Sequence, residues 1–93
     1  MPAAEPGSLT GRRLYFVGIG GSGMSAYANI ARALGAEVRG WEAQDTIFLA
    51  ALEEIDVDLG GEPRPPDGWE VVVSTAHRHR ADGIPRADFL AEL

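Results

Sequence analysis

Four apolar residues, Leu14-Tyr15-Phe16-Val17, run directly into Gly18-Ile19-Gly20-Gly21-Ser22-Gly23, and an alanine-rich stretch follows from Met24 to Leu34. Few folds accept that order. An apolar run without polar alternation suits a strand buried on both faces, as in a parallel sheet. Met24, Ala28, Ala31 and Leu34 recur at helical spacing and share one face, and Gly35 stands where a C-capping glycine belongs. Between strand and helix, the Gly-x-Gly-x-x-Gly spacing has a mechanical reading. Gly18 permits a tight turn, Gly20 lets backbone approach a diphosphate, and Gly23 lets the helix pack closely on the strand. The helix N-terminus then offers unpaired N–H groups and a partial positive charge to an anion.

Downstream, Glu37 to Trp41 reads as a second strand leading to Glu42. A helix is expected over Thr46–Ile55 with Asp45 as its N-cap, and Asp56–Leu59 as a short edge strand. Gly60–Gly68, with three prolines, reads as a loop, Trp69–Val73 as a strand, and Ala87–Leu93 as a terminal helix. Residues 1–11, with two prolines and no hydrophobic period, read as a flexible tail ahead of one domain over 12–93. The resulting βαβαβ order predicts an α/β, Rossmann-like open parallel sheet of four or five strands with flanking helices, its first strand central.

Chemistry is bounded by what the chain lacks. It has no cysteine and no lysine among 93 residues, so thiolate chemistry and a lysine-bearing phosphate loop are excluded within it. A net charge of −6 without a basic stripe argues against nucleic acid. No apolar run reaches the length of a membrane span, and the expected compartment is the cytoplasm. The expected ligand therefore meets the carboxyl edge of the sheet, where open α/β sheets bind. Gly18, Gly20, Gly21, Ser22, Gly23 and Met24 are the candidates for a diphosphate. Glu42, nineteen residues after Gly23, and Ser74-Thr75-Ala76 at a strand tip are the candidates for a ribose or base. Trp41 reads as a packing residue, with base stacking as the alternative. His77-Arg78-His79-Arg80 reads as a solvated charged loop, with Arg78 or Arg80 as accessory phosphate or sugar contacts. Two histidines offer too few ligands for a metal site.

Phe16-Val17-Gly18-Ile19-Gly20-Gly21-Ser22-Gly23-Met24-Ser25 closely resembles the opening of the UDP-N-acetylmuramate–L-alanine ligases, whose first strand runs into GIGG, a small residue and GMS. Leu34-Gly35-Ala36-Glu37-Val38, Val71-Val72-Val73-Ser74-Thr75-Ala76 and Gly83-Ile84-Pro85 resemble later segments of the same family. The resemblance implies a domain that binds the UDP part of UDP-N-acetylmuramate within a longer cell-wall ligase chain of peptidoglycan biosynthesis. It also implies that ATP and magnesium belong to a separate central domain, with no cofactor and no catalytic residue in this segment. Gly20 to Met24 would face the diphosphate, and Glu42 with Ser74 to Ala76 would lie around the uridine. The chain departs from the family in Gly40-Trp41-Glu42, where Gly-Ser-Asp is usual, and in Gly60-Gly61-Glu62, where Gly-His is usual. Its segment between Ala76 and Gly83 is shortened, so that a helix is missing and Pro85-Arg86 leaves little of a fifth strand. An NAD(P)-binding domain of an oxidoreductase or redox sensor, or a degenerate non-catalytic relative of the ligases, is the alternative reading.

Overall fold

The computed structural model describes residues 7–92. In chain order the elements are β1 (Arg13–Val17), α1 (Ser22–Ala33), β2 (Glu37–Glu42), a 3₁₀ turn (Ile47–Ala51), β3 (Asp56–Leu59), β4 (Glu70–Val73), a second 3₁₀ turn (Thr75–His77), β5 (Ile84–Pro85) and α2 (Arg86–Glu92). Five parallel strands form one sheet in the order β3-β2-β1-β4-β5. The predicted α/β architecture with β1 at the centre is what the structure shows, and the short fifth strand completes it.

Side chains of β1 alternate between two apolar layers, which is why the run needs no polar residue. Leu14 and Phe16 face one layer with Ile19, Met24, Ala28, Ala31, Val72 and Phe89, beneath α1 and α2. The Phe89 ring meets Phe16 edge-on at 5.4 Å, pinning α2 to the sheet. Tyr15 and Val17 face the other layer with Trp41 and Val73. Among the described residues no helix covers this second layer, because the shortened crossover between β4 and β5 holds only a 3₁₀ turn. Loop and side chain cover it instead. Trp41 is fully buried and its indole N–H donates to the Gly60 carbonyl at 2.8 Å. The buried Tyr15 hydroxyl donates to Asp58 at 2.9 Å and accepts the Arg64 amide at 3.3 Å, tying β3 and the proline loop across the sheet.

Three expectations need correction. The stretch read as a tail is structured from Gly7 onward, since Leu9 is buried and its amide donates to the Leu34 carbonyl at 3.0 Å. Residues 1–6, and Leu93 of the expected terminal helix, lie outside the described residues. The expected helix over Thr46–Ile55 is a five-residue 3₁₀ turn. Leu49 packs partly against the α1 layer while Ile47 and Phe48 stay exposed, and Glu54 adopts a positive φ of 54°. Asp45 is not its cap; Thr46 precedes the turn, and its hydroxyl is committed elsewhere. By contrast α1 ends as its sequence implies. Gly35, at φ 104°, lets its own amide reach the Arg32 carbonyl and the Ala36 amide reach the Ala31 carbonyl, a Schellman closure.

Candidate functional site

The carboxyl ends of β1, β2 and β4 converge on the glycine turn. As β1 ends, the Gly18 and Ile19 amides both donate to the Trp41 carbonyl, at 2.8 and 3.1 Å, and the Gly21 amide returns to the Gly18 carbonyl at 3.1 Å. Gly18 holds φ 88°, and a side chain there would strike Ser74 and the His77 ring. Gly20 is held from both sides. Its amide donates to Glu42 Oε1 and its carbonyl accepts from Thr46 Oγ1, both at 2.8 Å.

Glu42 is thus buried and engaged. Its Oε2 accepts the Ala43 amide at 3.0 Å and lies 3.4 Å from His77 Nε2. A carboxylate has about four lone-pair positions, so two amides and the imidazole leave one unused. The His77 ring stands edge-on to Trp41 at 5.2 Å.

Beyond Gly20 the turn presents donors. Gly21 occupies the N-cap position of α1 with no side-chain cap, and the first turn contains no acidic residue. The Ser22, Gly23 and Met24 amides precede the first intrahelical donor, Ser25, whose amide bonds the Gly21 carbonyl at 2.9 Å. Three N–H groups and the positive end of a 12-residue helix therefore open together onto a cleft of about 570 Å³. Two buried polar atoms at the same cleft, Ser74 Oγ and His77 Nδ1, have no hydrogen-bond partner. Buried polar groups are paired in the great majority of cases, which sets these two atoms apart.

The family model described as Mur ligase family, catalytic domain, matches residues 13–93. The chain belongs to the Mur ligase family. It is 42% identical over 94 residues to the UDP-N-acetylmuramate–L-alanine ligase of Bradyrhizobium sp. (strain ORS 278), covering 86% of this chain and 20% of that protein. Proteins of the same name from Halorhodospira halophila and Koribacter versatilis are 34% and 33% identical over 96 residues, each covering 88% of this chain and 20% of the relative. The chain therefore spans about a fifth of the length of the curated relatives it matches. No solved structure matches it.

In this Mur ligase chain all ten residues singled out from the sequence line the one cleft: Gly18, Gly20, Gly21, Ser22, Gly23, Met24, Glu42, Ser74, Thr75 and Ala76. They do so in different ways. The Met24 side chain is buried in the core and only its backbone is available, while Thr75 and Ala76 are exposed. A Cβ added to Gly23 would meet Arg86 Nη1 at 3.0 Å rather than the sheet, so its smallness clears a path for a guanidinium. Gly40, in β2, instead makes room for the glycine turn: a Cβ there would lie 2.5 Å from Ile19 Cδ1.

Sequence reasoning missed Thr46, His77 and Arg86, which line the same cleft. His77 is not part of a solvated loop, being packed between Glu42 and Trp41. Arg80 turns away to stack over Trp41 at 5.3 Å and pair with Glu62 at 3.4 Å. Trp41 itself is packing, with no face open to a base. A cation directly after Pro85, at the tip of a strand ending on the same sheet edge, was the available signal for Arg86.

Proposed function

We propose that this domain binds the uridine diphosphate part of UDP-N-acetylmuramate for a longer ATP-dependent ligase that joins L-alanine to it in cytoplasmic peptidoglycan synthesis. The observation that carries the reading is the convergence of three uncapped α1 amides and the unpaired, buried Ser74 Oγ on one cleft. On this reading one phosphate accepts from Ser22, Gly23 and Met24. Gly20 shapes the turn, because its amide already belongs to Glu42. The remaining lone pair of Glu42 accepts a ribose hydroxyl, and Ser74 to Ala76 border the uridine. The relatives' names support this choice of substrate, and the cleft's uncapped amides support a phosphate-bearing end.

The residues present do not fit ATP or magnesium. The chain has no lysine, and among the described residues no group of three His, Asp or Glu side chains could hold a metal ion. On the proposed reading, activation of the muramate carboxylate falls to the rest of the parent chain, and these 93 residues contribute binding. Calorimetry with UDP-N-acetylmuramate, UDP, NAD and NADP tests the reading. Heat is expected for the two uridine compounds only. Binding of NAD with none of UDP would replace this reading with that of a nicotinamide-dinucleotide domain.

A further inference from the structure

We infer that Arg86 is the residue by which this chain distinguishes a diphosphate from a single phosphate. The inference rests on the nucleotide reading above and adds to it a residue that the glycine turn does not contain.

The side chain of Arg86 starts at the tip of β5 and reaches back across the sheet edge, so that Nη1 lies 3.0 Å from where a Gly23 Cβ would stand. A guanidinium is thereby aimed at the positive end of α1, whose first turn holds no acidic residue. Two like-signed centres repel unless an anion lies between them. Neither Arg86 nor Arg78 is paired with a carboxylate among the described residues, whereas Arg13, Arg32, Arg39 and Arg80 each are. Of the carboxylates at hand, Glu42 is committed to two amides and His77, and Asp82 borders the second cleft without an ion pair.

Arg86 is also the shared wall of two clefts. The first, of about 570 Å³, holds the α1 amides. The second, of about 590 Å³, continues past Arg86 towards Arg78 and His79. Ser74, only 9% exposed and with its Oγ unpaired, borders both. A single phosphate on the α1 amides leaves Arg86 with one edge of its fork used. A diphosphate puts its second phosphoryl group beside the guanidinium, whose planar fork can bridge oxygens of both. Arg86 thus supplies the full positive charge that the half charge of a helix terminus does not.

The test is calorimetry of the 93-residue chain with orthophosphate, pyrophosphate, UMP and UDP, on the unaltered protein and on Arg86→Gln, Arg86→Lys and Arg13→Gln. Arg13 lies at the opposite, amino edge of the sheet and controls for net charge. The unaltered chain should bind UDP about tenfold more tightly than UMP, one charge-assisted contact's worth. Arg86→Gln should reduce that preference to about twofold or less, Arg86→Lys should keep part of it, and Arg13→Gln should keep all of it. Full UDP preference in Arg86→Gln overturns the inference and leaves the nucleotide reading standing. Arg86-dependent binding of pyrophosphate without any advantage for UDP upholds the inference and overturns the nucleotide reading. Failure of all four probes to bind the unaltered chain overturns both.

Discussion

Glu42 braces Gly20: the carboxylate at the end of β2 accepts, at 2.8 Å, the amide at the middle of the glycine turn. An acid that sequence reasoning reserves for a ligand is here first a structural partner of the phosphate-binding turn. The shape of that turn and the placing of the acid are consequently one property. The Thr46 hydroxyl on the Gly20 carbonyl closes the same peptide from its other end.

Removing that carboxylate should therefore be felt in stability before it is felt in binding. Glu42→Ala leaves the buried Gly20 amide without an acceptor and should destabilise the domain by about 1–3 kcal/mol. Glu42→Gln keeps one carbonyl oxygen for Gly20 and should lose distinctly less. Urea unfolding midpoints of the two variants, compared at a common slope, check the ranking.

Gly20→Val should weaken UDP binding and also destabilise the fold. A Cβ at this position would lie 2.8 Å from both Glu42 Oε1 and Thr46 Oγ1 and 2.9 Å from Glu42 Cγ, so the bracing contacts must open. Crowding of this kind typically costs about 1–3 kcal/mol. Paired thermal melts and UDP titrations measure both losses; an unchanged affinity would show that the turn serves the fold alone.

Phe89→Ala should couple core stability to ligand affinity at a distance. Phe89 is fully buried and holds α2 against Phe16, and α2 begins with Arg86. Truncation should cost about 3–5 kcal/mol. At a temperature where the variant is still folded, the preference for UDP over UMP should shrink, because Arg86 loses its mount. Phe89→Leu should recover most of both.

Two groups contribute to the pH dependence of stability, one in acid and one in base. The Arg12 guanidinium donates twice to Glu70, at 2.9 and 2.7 Å, and holds its carboxyl below the ordinary 4.5. The unfolded chain takes up that proton first as pH falls, so the contribution is present above about 4.5 and is lost as pH drops through the lower folded value. Glu70 is two-fifths exposed, so the effect should be small. On the alkaline side, burial, with smaller contributions from Asp58, raises the Tyr15 phenol above 10.0 against the opposing Arg64 amide. Its contribution is complete below 10.0 and fades as pH rises through the folded value. Glu70→Gln should flatten the acid limb and Tyr15→Phe the alkaline limb, read from urea midpoints across pH.

What was legible in the sequence was what local pattern dictates. Leu14 to Val17, the glycine turn, the Met24-Ala28-Ala31 face and Gly35 each carry their own signal, and parallel pairing with β1 at the centre follows from them. What was not legible depends on partners far away in the chain. Leu9 is ordered by a carbonyl twenty-five residues later. The apolar residues of Ile47–Ala51 resemble a helix, but Thr46 is held by Gly20 and Asn29 takes the Ala51 carbonyl and the Glu53 amide, so the segment is held along α1. His77 sits in a charged string, yet Trp41 and Glu42 draw it inward. In each case a tertiary contact overrode local composition.

The second apolar layer of the sheet is closed by indole, phenol and a proline-rich strap in place of a helix. Such a cover has no ladder of its own to hold it shut, so it should breathe as separate side chains while the α1 side moves as a unit. Deuterium uptake should accordingly be fastest in the strap and along β5, and slowest in β1, which is hydrogen-bonded on both flanks. The shortened crossover thus makes this half of the domain its weak side, the one from which unfolding is expected to begin.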